Sequence, residues 1–200
     1  MNKTDTHPVT EVREQILDSA LKRFTRYGFG KTTMAEIAKD CHMSAANLYR
    51  FFENKDEIGV ALACNCLGEK ERRLREVLGR PGLSAGQRLE TFILESFRYV
   101  YEQFNGLPHI NELVNTVTQE HPDVVTKHKG VSRVMIAQIL TEGHRTGEFD
   151  VADAMATAEA IMAATTMFCV PYFLSWHGKE EFERLVRDVV GLIVRGLAKR

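Results

Sequence analysis

Seven histidines, at positions 7, 42, 109, 121, 128, 144 and 177, are the first residues to test for metal or acid–base chemistry, and no two stand at a zinc-type spacing. Cysteines 41, 64, 66 and 169 also lack a ligand-like pattern. Cys64 and Cys66, two apart on a helix, point about 200° away from each other and cannot bridge without unwinding it. No glycine-rich phosphate loop and no nucleophile motif is present, so the commonest enzyme classes have no foothold here. What remains is charge. Between Ser19 and Arg50 stand Lys22, Arg23, Arg26, Lys31, Lys39 and Arg50, opposed only by Glu36 and Asp40, a local charge of +4 in a chain whose net charge is −1. Such a run suits a solvated face or a polyanion such as nucleic acid.

The elements that must position these residues read as helices. A hydrophobic fraction of 44% and a charged fraction of 26% place the 200-residue chain among globular proteins rather than disordered or membrane ones. No apolar run reaches the roughly 18 residues of a spanning helix, and the first fifteen residues lack a secretory core, so a cytoplasmic protein with free thiols is expected. Ile16, Leu17, Ala20, Leu21 and Phe24 recur at helical period, predicting a helix over 11–27, capped by Thr10 and ended by Gly28. Thr32 or Thr33 can cap a short helix from Met34 to Asp40. A turn at Cys41-His42-Met43 follows, and Ser44 caps a second short helix from Ala45 to Phe51. Asn54 caps a longer helix from Lys55 to Leu78, broken by Gly79-Arg80-Pro81-Gly82. Further helices are expected near 84–104, 107–119, 122–146, 151–176 and 179–199, with Pro171 kinking the fourth of these. Nothing alternates at the period of a strand.

Two short helices across a three-residue turn, preceded by a helix and followed by a long one, resemble the DNA-binding signature of the TetR family. The stretch Thr32 to Ile58, TTMAEIAKDCHMSAANLYRFFENKDEI, carries the likeness, and ILDSALKRFTRYGFG before it matches the family's first helix. The agreeing positions are Ile16, Ala20, Phe24, Gly28, Thr33, Ile37, Ala38, Ser44, Leu48, Tyr49, Phe52 and Lys55. The resemblance implies an all-α protein: a three-helix DNA-binding head with a helix-turn-helix over residues 1–54, joined to a larger helical ligand-sensing and dimerisation domain over 55–200.

In that arrangement Ala35, Ile37 and Ala38 pack with Leu48 and Phe52, and the start of the second short helix is free to enter a major groove. Ser44, Ala45, Ala46 and Asn47 are then the base-contacting candidates. The Asn47 amide can pair with adenine and the alanine methyls can meet thymine methyls. The resemblance assigns phosphate anchoring to Thr33, Tyr49 and Lys55, with Lys31, Lys39 and Arg50 as additions. Two positions depart from the family pattern. His42 stands where glycine is usual in the turn, and Ala45 where a basic residue is common, which puts one contact in doubt.

For the second half the resemblance implies a homodimer through the last two helices and an interior small-molecule inducer site. The last helix has a wide apolar face, with Phe182, Leu185, Val186, Val189, Val190, Ile193, Val194 and Leu197, and Ala152 to Ala164 before it is rich in small residues. Candidate inducer contacts are polar or aromatic interruptions of apolar faces: Phe97, Tyr101, His109, Leu113, Met162, Thr165, Thr166, Phe168 and Tyr172. Most of these types are equally core residues. The reading is a regulator, not an enzyme, without cofactor or metal, that binds a palindromic operator as a repressor and leaves it when an inducer binds. A redox sensor using Cys41, Cys64 or Cys66 and an activator are the alternatives.

Overall fold

The computed structural model describes residues 6–199, with side chains from Thr10 onward. The His7 side chain and the first five residues of the leader reading lie outside the described part. The described residues form nine α-helices: α1 (Thr6–Tyr27), α2 (Met34–Asp40), α3 (Ala45–Leu48), α4 (Lys55–Leu78), α5 (Ala85–Phe104), α6 (Ile110–Glu120), α7 (Pro122–Arg145), α8 (Ala154–Ala164) and α9 (Lys179–Leu197). A single isolated bridge, Phe149 to Ala198, is the one β-type pairing among them. No helix among the described residues is long and apolar enough to cross a membrane.

Contacts divide the chain into two compact units. The first holds residues through Cys66 together with Gly106–Val125, and the second Leu67–Asn105 together with Thr126–Arg200. Helix α4 therefore contributes to both.

In the first unit α1 packs against α2 and α6, and α2 against α3. Its core is Ile16, Ala20, Phe24, Phe29, Ile37, Ala38, Leu48, Phe52 and Ile58, all nearly inaccessible. Burial of each such side chain contributes about 1.5–3 kcal/mol relative to exposure. Gly28 ends α1 with φ at +95°, and its missing side chain leaves room for the Glu112 carboxylate of α6, whose Oε2 would lie 2.6 Å from a Cβ. His109 Nδ1 stands 2.8 Å from Glu112 Oε1 and, with the backbone of Gly30 and Phe29, holds that carboxyl below the usual range.

The second unit is built on α5 against α9, with Leu89, Phe92, Ile93, Phe97, Phe182, Val186 and Val190 between them. Ser84 caps α5 through a capping box with Gln87. Arg98 ties α5 to α9 through both oxygens of Glu183, at 2.8 and 3.0 Å. Glu148 closes the amino end of α5, accepting from Ala85 N and Gly86 N at 2.7 Å each.

Four expected boundaries move. Helix α1 begins at Thr6, so Thr10 is inside it rather than its cap; Pro8 falls in the first turn, where a missing N–H costs nothing. Helix α6 starts at Ile110 behind His109, a non-glycine residue with φ at +63° and no side-chain capping bond. Helix α3 ends at Leu48, and Arg50 N to Asn47 O and Phe51 N to Leu48 O continue it as tighter i+3 turns. The helix expected over 151–176 stops at Ala164, six residues short of the proline's predecessor. The hydroxyls of Thr165 and Thr166 bond back to Ile161 and Met162 carbonyls, and two 3-10 turns, Thr166–Phe168 and Pro171–Phe173, follow. Val170, forced extended by Pro171, separates them.

His128 on α7 lies 3.1 Å from Glu71 on α4, beside Lys70, which is itself only 6% exposed. Burial first, and then the Lys70 charge, lower its pKa, against the opposing pull of Glu71. A histidine with a depressed folded pKa contributes stability above its unfolded value, about 6.5, that is lost as pH falls through the folded value. The Glu36, Asp40 and Glu183 carboxyls, held low by their partners, act only at more acid pH. Replacing His128 by Gln should therefore flatten the fall in urea midpoint between pH 7 and 5. An unchanged slope would mean that another group sets it.

Candidate nucleic-acid interface

Thr33 begins α2 with a reciprocal capping box. Its hydroxyl accepts from Glu36 N, and its own N–H and hydroxyl donate to Glu36 Oε2, both at 2.9 Å. Thr32, the other candidate cap, is buried and donates to Gly28 O at 2.8 Å. At the other end of α2, His42 is left-handed with φ at +55°, and His42 N to Lys39 O and Met43 N to Ala38 O make a Schellman close. Histidine thus fills the glycine position of the turn and adopts its backbone. Ser44 then caps α3, accepting from Asn47 N at 3.2 Å.

Ile37, Ala38, Leu48 and Phe52 turn inward as expected, whereas Ala35 is exposed and Met34 takes the inner place. This anchoring leaves Ser44 and Ala46 exposed and Ala45 and Asn47 half-buried, in one short uncharged row at the start of α3. The Asn47 amide rests 3.9 Å from Met43 Sδ, a weak contact that spends little of its hydrogen-bonding capacity. Tyr49 is 53% exposed, which places it at the surface rather than in the core. Arg13, a residue not singled out from the sequence, fastens the end of α3 to α1. Its guanidinium donates to Phe51 O at 2.9 Å and lies 4.0 Å above the Phe52 ring.

Lys55 is half-buried and not a plain solvated charge. Its ammonium donates to Phe29 O at 2.7 Å and sits 4.5 Å from the Phe29 ring centre, with two further donors left over. Arg23 is neutralised by Asp40 at 2.8 Å and Glu36 at 3.2 Å, and its pKa is raised chiefly by the Asp40 bond. Lys31, Lys39 and Arg50 are exposed. The surface around α2 and α3 therefore offers two small polar side chains and two methyls at its centre and cations at its rim, an arrangement chemically suited to base edges and phosphates.

A protein-family model described as bacterial regulatory proteins of the tetR family matches residues 16–62, and one described as the tetracyclin repressor-like C-terminal domain matches residues 85–190. This chain belongs to the TetR family of transcriptional regulators. An uncharacterised HTH-type transcriptional regulator of Bacillus subtilis, YhgD, is 24% identical over 148 residues, 73% of this chain and 76% of the relative. The fold matches a transcriptional regulator from Cytophaga hutchinsonii at a TM-score of 0.73 and 22% identity, over 93% of this chain and 98% of that one. FadR of Bacillus subtilis, solved in complex with stearoyl-CoA, matches at 0.70 and 20% identity over 92% and 98%. TetR-family regulators bind operator DNA and act as dimers.

In the second unit of this TetR-family chain, two of the residues expected to contact an inducer flank Phe182, and a third, Tyr101, joins them through Phe97. Phe97 and Phe168 are fully buried, with ring centres 5.3 and 6.2 Å from Phe182, and Tyr101 lies 5.6 Å from Phe97. Thr165 is buried, Met162 half-buried and Thr166 exposed, and Tyr172 is 56% exposed against Phe173. His109 and Leu113 belong to the first unit, where Leu113 is buried and His109 exposed. The sequence marked Phe182 only as part of a helix face. Among the cysteines, burial pushes the Cys41 thiol up and away from the reactive thiolate. Cys169 lies 3.2 Å from Ser96 Oγ and Cys64 is exposed.

Proposed function

We propose that this chain is a cytoplasmic repressor that binds a palindromic operator as a homodimer and leaves it when a small molecule binds the C-terminal domain. The observation that carries the DNA half is the uncharged, at least partly exposed row Ser44, Ala45, Ala46 and Asn47, capped at its start and anchored by Leu48 and Phe52. Residues 1–54 read the DNA. Thr33, Tyr49 and Lys55 hold phosphates on either side of the row, Lys55 with the donors that Phe29 leaves unused.

Residues 55–200 sense and dimerise. On α9, Leu192 is 64% exposed and Leu185, Val189 and Gly196 share its stripe, while Ala156, Ala160 and Ala163 expose small side chains on α8. Both faces suit close packing against a second copy. The aromatic cluster of Phe97, Tyr101, Phe168 and Phe182 is the apolar wall of the inducer site, with Thr165, Thr166, Met162 and Tyr172 of the same unit as its further contacts. Fatty acyl-CoA esters are the first compounds to try, since a regulator of the same fold was solved with stearoyl-CoA. Helix α4, which contributes to both units, is the lever that converts ligand binding into altered spacing of the two recognition helices.

The test is binding of purified protein to its own upstream intergenic DNA and to a random duplex of equal length. Wild type should prefer the upstream duplex. Tyr49→Ala should weaken binding to both duplexes by about tenfold, and Asn47→Ala should erode the preference itself. Saturating acyl-CoA should release the upstream DNA. Equal binding to the two duplexes by wild type, with no protected site found by genomic pull-down, would rule out operator recognition. Binding that no member of the acyl-CoA panel disturbs would remove that ligand class.

A further inference from the structure

On the flank of the head, a surface recess of about 540 Å³ is lined by Arg23, Arg26, Tyr27, Lys31, Glu36 and His109. It opens where α1 ends and α2 begins, so Glu36, the third residue of α2 and partner of Thr33 in the capping box, forms one wall. Its charges are unevenly satisfied. Arg23 and Glu36 face each other at 3.2 Å, and Asp40 takes the remaining reach of Arg23. Arg26 has no carboxylate partner among the described residues and lies against the Tyr27 ring, 5.1 Å from its guanidinium carbon to the ring centre. Lys31 is exposed and carries no ion pair among the described residues. The recess thus presents two uncompensated cations, one of them oriented by an aromatic ring, beside a phenolic hydroxyl.

We propose that this recess is a phosphate subsite that extends the DNA contact from the start of α2 onto the end of α1, with Arg26 and Lys31 as its cations. The proposal rests on the operator-binding reading and adds to it a contact outside the helix-turn-helix. A guanidinium fork pairs with two phosphate oxygens and an ammonium supplies a point charge to the same group. Both line a recess of about 540 Å³, large enough for a sugar-phosphate, whose wall at α2 is Glu36. The remaining wall, His109, comes from α6 and is tied there to Glu112. A movement of α6 would change the shape of the recess without touching the recognition row, so the same subsite is a place where α6 can alter affinity while sequence preference is kept.

The contact is independent of base sequence, so it can be measured on any duplex. Dissociation constants for the upstream and random duplexes are determined across a series of potassium chloride concentrations for wild type, Arg26→Ala, Lys31→Ala and the double variant. Each single variant should bind both duplexes about fivefold to tenfold more weakly near 0.1 M salt and lower the slope of log affinity against log salt by about 1. The ratio between duplexes should not change, whereas Asn47→Ala changes that ratio. Arg26→Lys should retain the slope. Slopes that stay at the wild-type value in both alanine variants would overturn the subsite while leaving operator recognition intact. Unchanged slopes together with inorganic pyrophosphate binding that Arg26→Ala abolishes would assign the recess to a free phosphorylated molecule instead. Wild type that binds neither duplex would overturn both readings.

Discussion

Gly143→Ala should cost about 3 kcal/mol of unfolding free energy and lower the thermal midpoint by about 10 °C. Gly143 sits in the last turns of α7, and the chain doubles back immediately after it. Glu148 N and Phe149 N both donate to Gly143 O, at 2.9 and 3.0 Å, which lays the Phe149 ring directly over the glycine. A Cβ there would stand 2.3 Å from Phe149 Cδ2, 2.7 Å from its Cε2 and 2.8 Å from Ala85 Cβ. None of these atoms can step aside. Phe149 is 1% exposed and Ala85 opens α5. Gly130, on the same helix with nothing within 4 Å of a Cβ, is the matched control, and Gly130→Ala should be neutral or stabilise by up to about 1 kcal/mol. Phe149→Ala alone should cost about 3–5 kcal/mol through its cavity, but much less in the Gly143→Ala background, since the added methyl fills part of the space. Strict additivity in urea denaturation would show that the two do not share a contact.

Glu148→Gln should cost about 2 kcal/mol, and Glu148→Ala at least as much. Its two oxygens accept from the first two amides of α5, which have no partner within the helix, and a negative group is favoured at that end of the peptide dipoles. Glutamine keeps the shape but turns one acceptor into a donor facing a donor. Gly86 makes the approach possible, because a Cβ would lie 3.1 Å from Glu148 Oε1 and 3.0 Å from Val194 Cγ1. Glu142→Gln, which breaks an exposed, solvent-screened pair with Arg145, should leave the unfolding midpoint essentially unchanged in the same assay. Equal effects of the two substitutions would reduce Glu148 to a surface charge.

Where several local signals agree, the sequence places the elements almost to the residue. Thr33 and Glu36 stand at capping-box spacing, Asp40 is followed by a turn and Ser44 is a strong cap, so α2 and the start of α3 lie where they are expected. Asn54 likewise starts α4, accepting from Glu57 N at 2.8 Å. The reading fails where a single strong signal outweighs weaker ones. Pro171 predicts a kink in a longer helix, yet α8 ends before it, at threonines whose hydroxyls compete for the carbonyls. Tertiary partners leave still less trace. Nothing in the spacing of Arg13 announces that it stacks on Phe52, and nothing near His109 announces that α6 packs on α1. Lys55 was legible as a cation at the right position, but its bond to the Phe29 carbonyl depends on a fold that brings residues 26 apart in sequence together.

The row from Ser44 to Asn47 has a consequence for how such a regulator changes over generations. Its side chains are small, at least partly exposed and absent from the buried core, while the residues that hold it in place, Leu48 and Phe52, point the other way. Enlarging Ala46, or adding a hydroxyl or amide there, therefore alters the DNA face with little penalty to folding, because nothing in the interior has to be repacked. On the proposed reading of this row, recognition and stability are carried by separate residues only a few positions apart. A duplicated copy of this chain can drift toward a new operator by single substitutions, each of which leaves a folded protein for selection to act upon.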